Sequence, residues 1–227
     1  MSFDRFAEDY RAEVDRAAGV SVERLAGEKA RLILDVLSTH LGDPKRLRVL
    51  DIGCGIGLVD RELEGEVGLL CGADMSRSSL APAKMRAPAT RFVLYDGASL
   101  PFADASFDAV FAVSVVHHVP PDARRAFMAE MLRPVAQRGI AILIEHNPLN
   151  PVTRRIVSRC AFDADAVLLG CREAGELLAA AGAPMAGRRY IGFSPLRSAL
   201  VERAERAIAW LPIGAQYCAW GIKRAAA

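Results

Sequence analysis

No long apolar run occurs in this chain. The longest uncharged stretch, around AVFAVSVV, falls far short of the roughly 20 residues a membrane-spanning helix needs. The first residues, MSFDRFAEDYRAEVD, carry acids throughout and lack the apolar centre of a secretion signal, so a cytoplasmic protein with no membrane span is expected. Neither sign of charge dominates, with 29 Lys and Arg against 27 Asp and Glu and no single-sign block. That balance excludes the basic stripe of a nucleic-acid binder and points to a small-molecule partner. An NPPY-type motif is also missing, HNPLNP sharing only its Asn-Pro step. Cysteine is scarce and scattered: positions 54, 71, 160, 171 and 218 form no CxxC pair and no Cys/His spacing that suits zinc. They are expected to be reduced thiols acting as small apolar side chains, and no metal site is expected.

What is present is alternation. Residues 4–18 and 22–40 carry helical periodicity, the second through Val22, Leu25, Ala26, Ala30, Ile33, Leu34 and Leu37, and Gly42 and Pro44 stop it. Strands are then expected at LRVLDIG, VGLLCGAD, TRFVLYD, FDAVFAVS and GIAILIEH, with helices over 57–64, 78–86 and 121–136 between them. Such alternation implies an α/β fold, a doubly wound parallel sheet covered by helices on both faces, because parallel neighbours need crossover connections. A turn-rich segment with two Asn-Pro steps follows Glu145, then a helix over 171–181, a strand at RRYIGF, a helix over 196–210 and a last strand at QYCAWGIKR. The 227 residues suit a single domain: N-terminal helices over 1–44 that could act as a lid, a core over 45–146, and a substrate-side segment with the C-terminal strands over 147–227.

In such sheets ligands sit at the carboxyl ends of the strands. There VLDIGCGIG places Gly53, Gly55 and Gly57 between a strand and a helix, letting backbone approach a ligand and aiming helix N-terminal amides at it. A dinucleotide fingerprint, GxGxxG, would require glycine at 58, where Leu stands. Asp74 ends the second strand, where a carboxylate can accept from both ribose hydroxyls; it could instead cap the following helix. Asp96 ends the third, where it can accept from an exocyclic amine while the Gly97 and Ala98 amides meet a ring nitrogen; it could instead form an Asx turn.

Together VLDIGCGIG, GADMS, YDGASLPF, FDAVFAVSVVHHV and RGIAILIE, over about residues 45–147, resemble the class I S-adenosylmethionine-dependent methyltransferases. The small-molecule branch that includes quinone-biosynthesis enzymes is the nearest resemblance. It implies a Rossmann-like sheet of seven strands with the last antiparallel, S-adenosylmethionine as cofactor and S-adenosylhomocysteine as product. Position by position it implies that Asp51, Gly53 and Gly55 line the methionine part, that Cys54 belongs to the cofactor site and that Asp74 holds the ribose. Met75 would pack on adenine, Asp96, Gly97 and Ala98 would meet its polar edge, and Ser114 would border the sulfonium. The cofactor carries no phosphate, and the glycine turn has no Lys or Arg.

Methyl transfer to an O, N or C nucleophile of a small molecule, apolar or prenylated in one reading, needs a general base only when the acceptor arrives protonated. The candidates are His117 and His118 after the fourth strand and His146 after the fifth, with Glu145 open to a purely structural role. Arg154, Arg155 and Arg159 could hold an anionic substrate or simply face solvent, and Phe3, Phe6 and Tyr10 could belong to a lid or to ordinary packing. The chain is expected to be a monomer or homodimer. A nicotinamide-dependent oxidoreductase and a non-catalytic cofactor-binding partner are the rival readings; Leu58 and YDGASLPF count against the first.

Overall fold

The computed structural model describes residues 21–193 and 198–225. The expected helix over 4–18, with Phe3, Phe6 and Tyr10, and the start of the helix expected at 196 lie outside them. The first described helix, α1 (Val22–Leu41), buries Val22, Ala26, Ala30, Ile33 and Leu37 along one face. Then follow β1 (Arg48–Ile52), α2 (Leu58–Leu63), β2 (Leu69–Asp74), α3 (Arg77–Arg86), β3 (Arg91–Leu94) and β4 (Phe107–Val113). The second half contains α4 (Arg124–Leu132), β5 (Val135–His146), α5 (Pro151–Val157), α6 (Cys171–Ala180), β6 (Met185–Ile191), α7 (Ala199–Ile208) and β7 (Gln216–Ile222).

The seven strands form one sheet in the order β3-β2-β1-β4-β5-β7-β6, and β7 is the antiparallel member, inserted between β5 and β6. The expected α/β architecture and the reversed last strand are both present. Consecutive strand residues point to opposite faces. Leu50, Val110 and Leu143 therefore join Met128 and Leu178 on one side, while Val49, Phe111 and Ile142 join Ile33, Leu37 and Leu63 on the other. Burial on both faces is why these strands read as continuous apolar runs.

Several boundaries differ from expectation: β3 ends at Leu94, two residues before Asp96, β6 runs from Met185 to Ile191 instead of over RRYIGF, and the largest shift is at α4 and β5. The helix expected over 121–136 is α4, ending at Leu132, because Pro134 cannot continue it; β5 then begins at Val135, four residues before the expected Gly139. Among the described residues no helix is long and apolar enough to cross a membrane.

Candidate cofactor and acceptor site

Sequence order runs outward from β1 to β3 in one direction and from β4 in the other, so a crevice opens at the carboxyl ends of β1 and β4. A cavity of about 690 Å³ occupies it. Asp51, Gly53, Cys54, Gly55, Asp74 and Met75 line one part, and Ser114, His117, His118 and His146 line another. Gly97 also borders it, near the Met75 methyl: a Cβ at Gly97 would lie 3.0 Å from that carbon.

The glycine turn is a geometric requirement. Gly53, Gly55 and Gly57 have φ of 75°, 53° and 73°, in the left-handed region that favours glycine. A Cβ at Gly53 would also stand 2.5 Å from Val115 Cγ2, and one at Gly57 would stand 3.0 Å from the Ala83 backbone. Asp74 holds the turn in place, its Oδ2 accepting from the Gly55 N–H at 2.7 Å and its Oδ1 from the Ser76 N–H at 2.8 Å. The cap of α3 is Ser76, whose hydroxyl accepts from the Ser79 N–H, so Asp74 is not the cap. Ser114, a non-glycine residue, sits at φ 57° where β4 ends against the cavity. Such backbone strain in a residue lining a cavity is a common mark of a functional site.

Asp51 is 2% exposed, and its Oδ1 has no hydrogen-bond partner among the described residues. Burial, with Asp60 and Asp74 close by, pushes its carboxyl well above the usual range. Asp60, fully buried on α2, is pushed up to about 7 by burial. An orphaned carboxylate oxygen beside a crowded acidic pair suits a cationic ligand group such as an α-ammonium. Asp60 was missed in sequence because it looks like an ordinary polar helix position.

Asp96 and Ala98 are placed differently from the rest. Neither lines the cavity, and the Ala98 N–H, expected to meet a ring nitrogen, donates to Asp96 Oδ1 at 2.8 Å, as does the Ser99 N–H. That is the Asx-type turn, and these two hydrogen bonds hold the exposed Asp96 carboxyl below its usual range. Arg154, Arg155 and Arg159 are exposed and do not line the cavity; α5 turns Val152, Thr153 and Ile156 toward it instead. Asn150 makes that orientation possible by capping α5, its side chain accepting from Val152 and Thr153 N–H with Pro151 at the first helical position.

The three histidines come together. Ring centroids of His117 and His118 lie 4.2 Å apart, and those of His117 and His146 lie 5.0 Å apart. Glu145, fully buried, accepts from the Val115 and Val116 N–H groups at 3.0 and 2.7 Å through Oε1, while Oε2 meets His117 Nδ1 at 2.6 Å. Burial opposes a charge on His117, but Glu145 and Asp163 outweigh it and push the imidazole up to about 9. Burial and then the charge on His117 pull both His118 and His146 down to about 4. The fourth histidine, His40, is elsewhere, accepting from the Trp220 indole N–H at 3.1 Å.

Two further cavity residues were not singled out in sequence. Asp163 Oδ1 lies 3.4 Å from His117 Nε2 and 3.6 Å from His118 Nε2. Lys29 of α1 faces the same region and is lowered to about 8 by burial, against the pull of Glu145, Glu28 and Asp163. Neither has a local signature, since each comes to the histidines from a distant segment.

Residues 50–143 match the methyltransferase domain family. The core is a class I S-adenosylmethionine-dependent methyltransferase domain. The chain is 33% identical over 132 residues to methyltransferase GfsG of Streptomyces halstedii, covering 55% of this chain and 45% of that protein. It is 32% identical over 145 residues to the 2-methyl-6-phytyl-1,4-hydroquinone methyltransferase of Synechocystis, covering 57% and 45%. It thus spans a little under half the length of these relatives. In fold it is similar to an S-adenosylmethionine-dependent methyltransferase of Thermotoga maritima, described as a possible histamine N-methyltransferase, with a TM-score of 0.70, 18% identity and 98% of each chain covered. The residues of the methyltransferase core fit the cofactor of the class: a buried acid with an orphaned oxygen that would suit the methionine ammonium, an acid beside the glycine turn that would suit the ribose, and no Lys or Arg within the glycine turn itself.

Proposed function

We infer that this protein transfers a methyl group from S-adenosylmethionine to an O, N or C nucleophile of a small, largely apolar molecule. The observation that carries this reading is one continuous cavity, of about 690 Å³, lined at one part by the glycine turn and Asp74 and at another by the histidine cluster. Its volume falls within the range of about 300–1,000 Å³ typical of small-molecule sites. Asp51 and the glycine turn hold the methionine part, Asp74 the ribose, and Met75 with Gly97 the adenine. The cofactor, when bound, supplies the electrophilic methyl carbon.

The acceptor occupies the remainder, against Val119, Phe127, Ile156, Phe162 and Phe193, whose apolar surfaces support an aromatic or prenylated molecule. The hydroquinone named for the Synechocystis relative has that character. Holding nucleophile and methyl carbon in line within the cavity removes much of the barrier. Where the acceptor is protonated, His146 takes the proton. It lines the cavity at the end of β5 and, among the described residues, forms no ion pair, whereas His117 and His118 both face Asp163. Residues 22–29 of α1 and the segment after β5 wall the acceptor side, which supports the reading of residues 1–44 as a lid and of 147–227 as the acceptor-selecting part.

The test is a labelled-methyl screen of phenols, hydroquinones and amines with the pure protein, joined to calorimetric titration of S-adenosylhomocysteine and NAD. Micromolar S-adenosylhomocysteine binding and a methylated product are expected. Binding of NAD in place of S-adenosylhomocysteine would overturn the reading.

A further inference from the structure

We propose that His117, His118 and Asp163 form a binding site for a divalent first-row transition-metal ion, of which Zn²⁺ is the representative, at the acceptor side of the cavity. Two imidazole nitrogens and one carboxylate oxygen are a borderline donor set that suits Zn²⁺, Fe²⁺ or Co²⁺ better than Mg²⁺ or Ca²⁺. The donor atoms all lie within 4.8 Å of one another. With bonds of about 2.0–2.2 Å, tetrahedral zinc places its ligand atoms roughly 3.3–3.5 Å apart. The observed 3.4 Å from His117 Nε2 to Asp163 Oδ1 and 3.6 Å from His118 Nε2 to the same oxygen are already close to that spacing.

An independent observation points to a ligand. His117 Nε2 is fully buried and has no hydrogen bond among the described residues, lying near Asp163 without hydrogen-bond alignment. The opposite ring nitrogen is engaged by Glu145 at 2.6 Å, and Glu145 is itself fixed by the Val115 and Val116 amides. Carboxylate, imidazole and open nitrogen in series is the arrangement that orients metal-binding histidines. The segment that follows Asp163 is tied back to the histidine loop as well. The Val167 N–H donates to the His117 carbonyl at 2.8 Å, and the buried Arg124 bridges the Val119 carbonyl, the Val167 carbonyl and Glu173. Three protein ligands leave a coordination position open, and all three residues border the cavity, so that position faces the space assigned to the acceptor. This use of the ion rests on the methyl-transfer reading; the binding site itself does not.

The competing arrangement is a purely ionic one, in which a protonated His117 ties Glu145 and Asp163 together beside Lys29 and His146. The experiment uses tag-free full-length protein, stripped with a chelator and titrated with Zn²⁺ by calorimetry and with Co²⁺ by visible absorption. Saturable binding of one ion per chain is expected, with the d–d bands of low-coordinate Co²⁺. H118Q and D163N should each weaken it at least tenfold and E145Q about 10- to 100-fold, while H40Q leaves it unchanged. Retained S-adenosylhomocysteine affinity certifies that a variant is folded, and D163N decides if H118Q does not fold. Absence of saturable Co²⁺ binding to the unmodified protein, or an unaltered spectrum in folded D163N, overturns the site. Metal binding without S-adenosylhomocysteine binding would retain the site and sink the methyl-transfer reading instead.

Discussion

Glu145 Oε2 and His117 Nδ1 meet at 2.6 Å with both side chains completely buried. They are 28 residues apart in sequence and meet because β4 and β5 are parallel neighbours in register, Val113 opposite Ile144, so that the loop after β4 turns back over the last residues of β5. Glu145 also accepts from two backbone amides, so the carboxylate shapes the loop that carries His117 and His118 as well as orienting His117. Glu145→Gln keeps the volume but loses a buried charge and places a donor among donors. We expect a loss of about 3 kcal/mol, as for breaking a buried pair from one side. An unchanged urea midpoint would show that this contact does not support the loop.

The acids at the cofactor end lead to a pH effect of definite sign. Asp60 is raised to about 7 by burial, far above an unfolded aspartate, so the folded state binds the extra proton between about pH 4 and 7. The stability this contributes is fully present below the unfolded pKa and is lost as pH rises through about 7, at up to about 1.4 kcal/mol per pH unit for one proton. Urea midpoints of the cofactor-free protein between pH 5 and 8 should therefore fall less steeply in Asp60→Asn than in the unmodified chain. Equal slopes would mean that Asp60 does not hold this proton.

Asp74→Ala removes the acceptor of the Gly55 N–H and the proposed partner of the ribose hydroxyls. Affinity for S-adenosylhomocysteine should drop by on the order of 1 to 3 kcal/mol, the usual cost of a stranded polar partner. Calorimetry reads this directly, and unaltered affinity would place the ribose elsewhere.

Replacing His146 by Gln separates chemistry from binding. With a protonated acceptor, the turnover number should fall by about 10²- to 10⁴-fold, the range general-base catalysis typically contributes, while cofactor affinity stays within a few-fold. A turnover number and pH profile identical to the unmodified enzyme would leave positioning alone responsible for the rate.

Much of the cofactor half is legible along the chain because it is built from consecutive strand-to-helix turns. Gly53, Gly55 and Gly57 declare a turn by residue type, and Asp74 closes its own strand, so local order places the turn and the acid at the cavity. Even there the tertiary structure supplied hydrogen-bond pairings that sequence left open. Asp96 and the Ala98 amide make an Asx-type turn with each other, and Ser76 rather than Asp74 caps α3. The acceptor half is scarcely legible. Arg154, Arg155 and Arg159 have the right charge to attract notice, yet the face that α5 presents is set by how Asn150 and Thr153 anchor it to the loop before β7.

By itself, the sequence determined the alternation of apolar strands and amphipathic helices, the glycine turn and the placing of acids and histidines at strand ends, since each follows from short-range sterics and side-chain periodicity. Only the tertiary structure decided that β7 enters between β5 and β6, that Asp60 is buried next to Asp51, and that Lys29 and Asp163 converge on the histidines. Those outcomes depend on contacts between segments tens of residues apart, whose pairing is selected by burial of the whole core rather than by any local preference.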